Sequence, residues 1–141
     1  MSCIHDDFVA TGLSAVHVSK DILVGRPYGG AAILFRKKFA SVVKLLNTSD
    51  PCICAITVST NLGPLMTVCV YMPSNTGDID SFECFMDTFS QIIALYNESD
   101  TVNLVITGDF NCQAGSKWFD TLYQLTDDNE LMRFPPSHNV T

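Results

Sequence analysis

The feature that most constrains this chain is a helical pattern set between two strand-like apolar segments. From position 79 to 96 apolar side chains recur every three or four residues, which predicts an amphipathic helix, and Asp78 or Asp80 is expected to cap its start. Apolar runs at 65–71 and 102–106 flank it and predict strands, of which the second is expected to be buried. The order strand, helix, strand implies a crossover connection and a layered α/β architecture. The periodic positions are Ile79, Phe82, Phe85, Met86, Phe89, Ile92, Ile93 and Tyr96.

Further strands are predicted upstream of this unit. Residues 31–35 form an apolar run between a turn-like segment, 26–30, and three basic residues, 36–38. The run at 52–58 stops at Asn61-Leu62-Gly63-Pro64 and is followed by the run at 65–71. This spacing predicts an antiparallel hairpin with a loop of several residues.

Length and composition favour one globular core. The chain has 141 residues, 47% hydrophobic and 16% charged, so we expect one folded domain or part of one. Its apolar runs are far shorter than the roughly 20 residues that a membrane helix needs, and residues 1–7 do not resemble a secretory signal. An intracellular location, nuclear or cytoplasmic, is therefore expected. Three of the six cysteines lie in strand-like runs, and the cysteines are expected to be buried free thiols.

The charge distribution leaves two readings open. The net charge is −7, which by itself argues against a nucleic-acid partner because phosphate binding relies on Lys and Arg. Most of the acidic residues fall after position 60. They form either a solvated surface or, at some positions, a carboxylate cluster that binds a metal.

Chemically active side chains are expected where two strands end. The run at 102–106 leads into Gly108-Asp109-Phe110-Asn111, which places a carboxylate and an amide two residues apart. Asp109 could bind Mg²⁺ or orient a water, and Asn111 could donate a hydrogen bond to a phosphate. Tyr71 ends the preceding strand with a phenol that could reach the same group. The alternatives are an ordinary turn at Gly108-Asp109 and a packed edge aromatic at Tyr71.

Three segments in this order resemble a known family. They are Gly-Arg-Pro-Tyr-Gly-Gly-Ala-Ala-Ile-Leu at 25–34, Val-Tyr-Met-Pro-Ser at 70–74, and Ile-Thr-Gly-Asp-Phe-Asn at 106–111. Together they resemble the endonuclease/exonuclease/phosphatase superfamily. The Gly-Asp-Phe-Asn motif is shared across that superfamily, whereas the first segment is most similar to the endonuclease domain of LINE-type non-LTR retrotransposons.

The resemblance implies a fold, a reaction and partners. The fold would be an α/β (α+β) four-layer sandwich of the DNase-I-like type, here incomplete, with residues 1–141 forming part of the domain. The reaction would be phosphodiester hydrolysis with Mg²⁺ or Mn²⁺. Asp109 would activate or orient the attacking water and is a candidate metal ligand, Asn111 would contact the scissile phosphate, and Tyr71 would hydrogen-bond it. The partners would be DNA and, in a full-length parent protein, a reverse transcriptase domain.

The same resemblance predicts an incomplete catalytic set. The family's metal-binding Glu precedes, and its closing Asp-His pair follows, the part of the domain that resembles this chain. His138 has no Asp before it and is expected to be solvated. We therefore expect the chain alone to bind metal weakly, to be inactive by itself and to be poorly soluble. The alternatives are a noncatalytic retroelement remnant, a binding fragment, and a phosphatase of the same superfamily.

Overall fold

The computed structural model describes residues 6–13 and 30–129, and the chain divides into two compact units. The first unit ends at Asn111 and the second begins at Cys112. The elements are β1 Phe8–Leu13, β2 Ala31–Arg36, a short 3₁₀ helix Lys37–Phe39, β3 Val43–Leu45, β4 Ile53–Thr60, β5 Gly63–Tyr71, α1 Ile79–Glu98, β6 Asn103–Asp109 and α2 Lys117–Asp128.

The strands of the described residues form two sheets. β1 and β2 make an antiparallel pair, and the other four strands have the order β3-β4-β5-β6. β4 and β5 are antiparallel, whereas β5 and β6 are parallel and joined through α1. The predicted crossover is confirmed, and so is a mixed α/β class.

The first unit is layered around β5. One face of β5 carries fully buried apolar side chains, and Ser99 at the end of α1 lies 3.9 Å from the Met66 sulfur on that face. On the opposite face the Cys54 thiol of β4 donates to the Thr11 carbonyl of β1 at 3.4 Å. The four-stranded sheet therefore lies between the crossover helix and the two-stranded sheet. The buried face of β5 and its continuation comprise Met66, Val68, Val70 and Met72.

The crossover helix begins where the sequence predicts. Asp78 is its N-cap, with the side chain accepting a hydrogen bond from the Ser81 backbone N–H at 2.7 Å. This bond satisfies one of the amide groups that the first turn leaves without a helical partner. Phe85, Phe89 and Ile92 are almost fully buried, so the periodic stripe supplies the core contact that holds the helix.

The hairpin differs from the prediction in its turn. Its direction is confirmed, but only Asn61 and Leu62 connect the strands, and both Gly63 and Pro64 belong to β5. Pro64 pairs with Ser59 beside the turn, where the first residues of a strand tolerate a missing N–H. The prediction that Gly63 and Pro64 belong to the loop is therefore wrong.

The prediction of a buried last strand was also wrong. β6 is an edge of the sheet among the described residues, and it continues through Gly108 and Asp109. None of its residues is fully buried, and Val105 is 44% exposed. The apolar sequence reflects the half-buried state of an edge strand, which periodicity does not separate from full burial in so short a run.

The cysteines are free thiols with unequal exposure. Cys54 is buried, Cys52, Cys69 and Cys112 are half-buried, and Cys84 is exposed on α1. The prediction of free thiols is confirmed for these five, while that of general burial holds only for Cys54. Within 6–13 and 30–129, no helix is long and apolar enough to cross a membrane.

The second unit is described over 112–129 and contains α2. Ser116 caps this helix by accepting from the Phe119 N–H at 3.2 Å. Phe119 and Tyr123, one turn apart, have ring centroids 4.5 Å from each other. Local capping and an aromatic contact at helical spacing thus define the element.

Candidate functional site

Two of the predicted site residues end neighbouring strands. Tyr71 and Asp109 are direct partners across the parallel pair β5–β6. The pairing extends one residue further, because the Met72 N–H donates to the Asp109 carbonyl at 2.8 Å. Partnered residues project from the same face of a sheet, so the phenol and the carboxylate share one face at one edge.

Asn111 joins the two strand ends. Its side-chain Nδ2 donates to the Met72 carbonyl at 2.6 Å, across 39 positions of sequence. Its backbone N–H donates to Oδ1 of Asp109 at 3.0 Å, which closes an Asx turn. Asn111 has a φ of 48°, a left-handed conformation that Asn adopts more readily than most residues. All three predicted site residues are therefore brought together.

Gly108 is required for this closeness. A Cβ placed there would lie 1.9 Å from the Val70 carbonyl oxygen, and the φ of Gly108 is 136°. Both facts exclude an L side chain without movement of the β5 backbone. The glycine of the Gly-Asp-Phe-Asn segment thus permits the strand contact that places Asp109 beside Tyr71.

The shared face also carries residues that sequence reasoning missed. Asp109 is exposed and Tyr71 is half-buried. Thr107, two residues before Asp109, projects from the same face and pairs with Cys69. Cys52 is next to Tyr71, whose backbone N–H donates to the Cys52 carbonyl at 2.9 Å. The alternation of side chains along each strand predicts which residues of that strand share a face. Only the register between strands shows which residues of neighbouring strands lie side by side.

Cys52 lacks the electrostatics of a thiol nucleophile. Burial raises its pKa, and the nearby Asp50 carboxylate raises it further. The Asp50 side chain is held there by the Cys52 backbone N–H, which donates to its Oδ1 at 2.8 Å. Since the thiolate is the reactive form, Cys52 fits a packing role beside Tyr71 better than covalent catalysis.

The described residues do not form a complete metal centre. Among them, no three His, Cys, Asp or Glu side chains converge on one point. Asp6 and Asp7 are exposed in a turn before β1. Asp127 and Asp128 end α2, where Asp128 accepts from Gln124 at 2.8 Å. Asp109 is the carboxylate that the strand ends provide.

A cleft among the described residues is lined by other side chains. It has a volume of ≈ 230 Å³ and contains none of Tyr71, Asp109 and Asn111. Tyr71 and Asp109 lie instead at the carboxyl ends of β5 and β6. The cleft is lined by Thr11, Gly12, Leu45, Leu46, Asn47, Thr48, Ile53, Cys54 and Ala55.

Parts of the family-like pattern lie outside the described residues. These are positions 25–29 of the first segment and His138. The later segments, 70–74 and 106–111, are described and meet at one sheet edge. No protein-family model, curated protein or solved structure matches this chain.

Proposed function

We propose that this chain carries part of the catalytic site of a metal-dependent phosphodiesterase of the endonuclease/exonuclease/phosphatase superfamily, with a DNA strand as the substrate. The retrotransposon endonucleases are the branch that its sequence segments resemble most. The finer fold belongs to the same proposal: the helix, four-stranded sheet and two-stranded sheet would be three layers of a DNase-I-like four-layer sandwich.

One observation carries the proposal. Tyr71 and Asp109 come from separate segments of the family-like pattern, yet they are direct partners at the ends of parallel strands. Ligands of α/β sheets bind outside the carboxyl ends of the strands. If the resemblance of these two short segments were a coincidence, there would be no reason for Tyr71 and Asp109 to lie on the same face of the sheet.

The side chains present suit attack of water on a phosphodiester. The exposed Asp109 carboxylate retains an oxygen not used in the Asx turn, and this oxygen can accept a hydrogen bond from water and orient it. The Tyr71 hydroxyl can donate to a phosphate oxygen on the same face as negative charge develops there. Both groups therefore act by positioning and by hydrogen bonding.

A bound metal ion would need more ligands than the side chains of Tyr71, Asp109 and Asn111 provide. Mg²⁺ is commonly held by one or two carboxylates together with waters and substrate phosphates, and Asp109 provides one carboxylate. When bound, such an ion would supply charge stabilisation to the phosphate. Because no cluster of three ligands exists among the described residues, Asp109 would contribute one ligand to a weakly bound ion, and its hydrogen bonding to water does not depend on that ion.

Plasmid nicking tests the activity. The chain is incubated with supercoiled DNA and Mg²⁺ beside Asp109→Asn, which keeps the Asx turn but removes the charge. Asp87→Asn is the matched control, since Asp87 is exposed on α1. We expect little nicking by any of the three proteins. Nicking lost only in Asp109→Asn would support the function and show that the site is sufficient, contrary to the expected incompleteness.

A binding experiment tests the same site without turnover. Mn²⁺ is titrated into the labelled chain, and paramagnetic broadening of backbone amide signals is followed by NMR. Weak binding at the strand ends should broaden the signals of Tyr71, Met72 and Asp109 first, and Asp109→Asn should abolish this effect. Broadening centred elsewhere, and unchanged in the variant, would contradict the proposal.

A further inference from the structure

We infer that Asn111 is a positioning residue, which holds Tyr71 and Asp109 side by side by tying the end of β5 to the segment after β6. This inference rests on the proposed function for its catalytic consequence, whereas the tie itself is independent of activity. It differs from the role implied by the family resemblance, in which Asn111 contacts the scissile phosphate.

The amide of Asn111 is already engaged within the chain. Nδ2 is 2.6 Å from the Met72 carbonyl oxygen, a short distance for an N–H···O hydrogen bond. Met72 directly follows Tyr71, and its side chain is fully buried. One N–H of the amide is thereby directed at the β5 backbone, which leaves the second N–H and Oδ1 for other partners.

The backbone of Asn111 makes the second half of the tie. Its N–H binds Asp109 Oδ1 at 3.0 Å, and this restricts the orientation of that carboxylate. The left-handed φ of 48° turns the chain so that one residue reaches both Asp109 and Met72. Together with the Met72 N–H to Asp109 carbonyl bond of 2.8 Å, these contacts close a small ring between the two strand ends.

Each contact of the ring acts on a different part of the candidate site. The bond to Met72 fixes the strand end that bears Tyr71, and the bond to Oδ1 fixes the Asp109 side chain. β6 has no neighbour on its outer side among the described residues, and unsupported strand ends fray. Asn111 therefore sets the separation of phenol and carboxylate through its contacts within the chain.

Two substitutions separate the side-chain contact from the backbone turn. Asn111→Gly keeps access to the left-handed conformation and removes the amide. Asn111→Asp keeps the shape and the turn preference, but an ionised carboxylate cannot donate to the Met72 carbonyl. The titratable side chains here are Cys52 just before β4, Tyr71 of β5 and Asp109 of β6, and the wild-type chain at each pH controls for them.

The pH dependence of Asn111→Asp has a definite sign. A protonated carboxyl at position 111 can donate to Met72, whereas the ionised form faces that carbonyl and the Asp109 carboxylate. The pKa at position 111 should therefore be raised in the folded chain. The tie is then present below the unfolded pKa and lost as the pH rises through the folded pKa.

Amide hydrogen exchange of the full chain measures the tie. At neutral pH we expect the Met72 amide to lose about tenfold in protection in both variants. Acid should restore protection relative to wild type in Asn111→Asp and not in Asn111→Gly. Amides in the middle of β4 and β5 should keep wild-type protection. Unchanged protection of Met72 in both variants, or an equal loss throughout the sheet, would overturn the inference.

A kinetic readout addresses the catalytic consequence. In any preparation that nicks DNA, Asn111→Asp at neutral pH should lower kcat with little change in KM, because Tyr71 and Asp109 are misplaced while substrate contacts remain. A rise in KM at constant kcat would show that Asn111 binds substrate, and would overturn the positioning role. If wild type does not nick, the exchange experiment still decides the inference, whereas the proposed function is judged by Mn²⁺ binding.

Discussion

At the scale of single residues, Gly108 sets how closely the two site strands approach. Any β-carbon there meets the Val70 carbonyl oxygen, at 1.9 Å for the unmoved backbone. We expect Gly108→Ala to lower the free energy of unfolding by roughly 2–4 kcal/mol, since strain at positive φ adds to the clash. Chemical denaturation followed by circular dichroism measures the change.

Gly77 offers a matched comparison for that substitution. It also has a positive φ, 83°, but a Cβ there has nothing within 4 Å. Gly77→Ala should therefore cost only the backbone strain, about 1–2 kcal/mol. Equal losses of stability in the two variants would show that the Val70 backbone moves away from the added Cβ at little cost. Such a result would contradict the steric explanation for Gly108.

Asp78 is expected to make the stability of the chain depend on pH. Its pKa is lowered by the hydrogen bond from Thr76 and by those from Ser81 at the start of α1. A carboxyl with a lowered folded pKa stabilises the fold above its unfolded pKa, and the contribution is lost as the pH falls through the folded pKa. Thermal unfolding of wild type should therefore show an acid-dependent loss at low pH.

Asp78→Asn isolates that effect. Asn caps a helix about as well as Asp but does not titrate, so the variant should lose the part of the acid dependence due to this residue. Because Asp78 is exposed, the change should be small and weakened by salt. An acid profile identical to wild type would assign the loss to other carboxylates.

At the scale of elements, β6 is expected to govern self-association. It is an edge among the described strands, and Val105 is 44% exposed on it. Exposed apolar edges pair with other chains unless a charge blocks them. Val105→Lys should therefore raise the concentration at which the chain begins to associate, as measured by analytical ultracentrifugation or light scattering.

The control adds the same charge away from the edge. Leu62 is 87% exposed in the β4–β5 turn, so Leu62→Lys changes the net charge and surface hydropathy without altering β6. If both variants were equally more soluble, net charge rather than the strand edge would explain the improvement.

The elements also show what a single sequence can predict. The helix and its Asp78 cap follow from spacing and side-chain chemistry, because both depend on neighbours along the chain. Pro64 was assigned to a loop because nothing local shows that it enters a strand beside a turn. The burial of β6 was overestimated because position in a sheet is a property of the assembled fold.

The candidate site also combines features that the sequence predicts with features that it does not. The sequence predicts site roles for Tyr71, Asp109 and Asn111 because they lie at or just after the ends of apolar runs, which is local information. Their mutual contacts depend on the register of two distant strands, and so does the bond from Asn111 to Met72. The clash that requires glycine at Gly108 also becomes evident only when β5 lies alongside.

At the scale of the whole molecule, the crossover determines when the site comes into existence. The contact between Asn111 and Met72 spans 39 positions, with a helix of 20 residues inside that interval. Bringing together residues so far apart in sequence costs chain entropy before the contacts that stabilise the pair have formed. A nascent chain that has emerged only as far as α1 thus has Tyr71 without its partner. The candidate site therefore forms only when β6 pairs with β5.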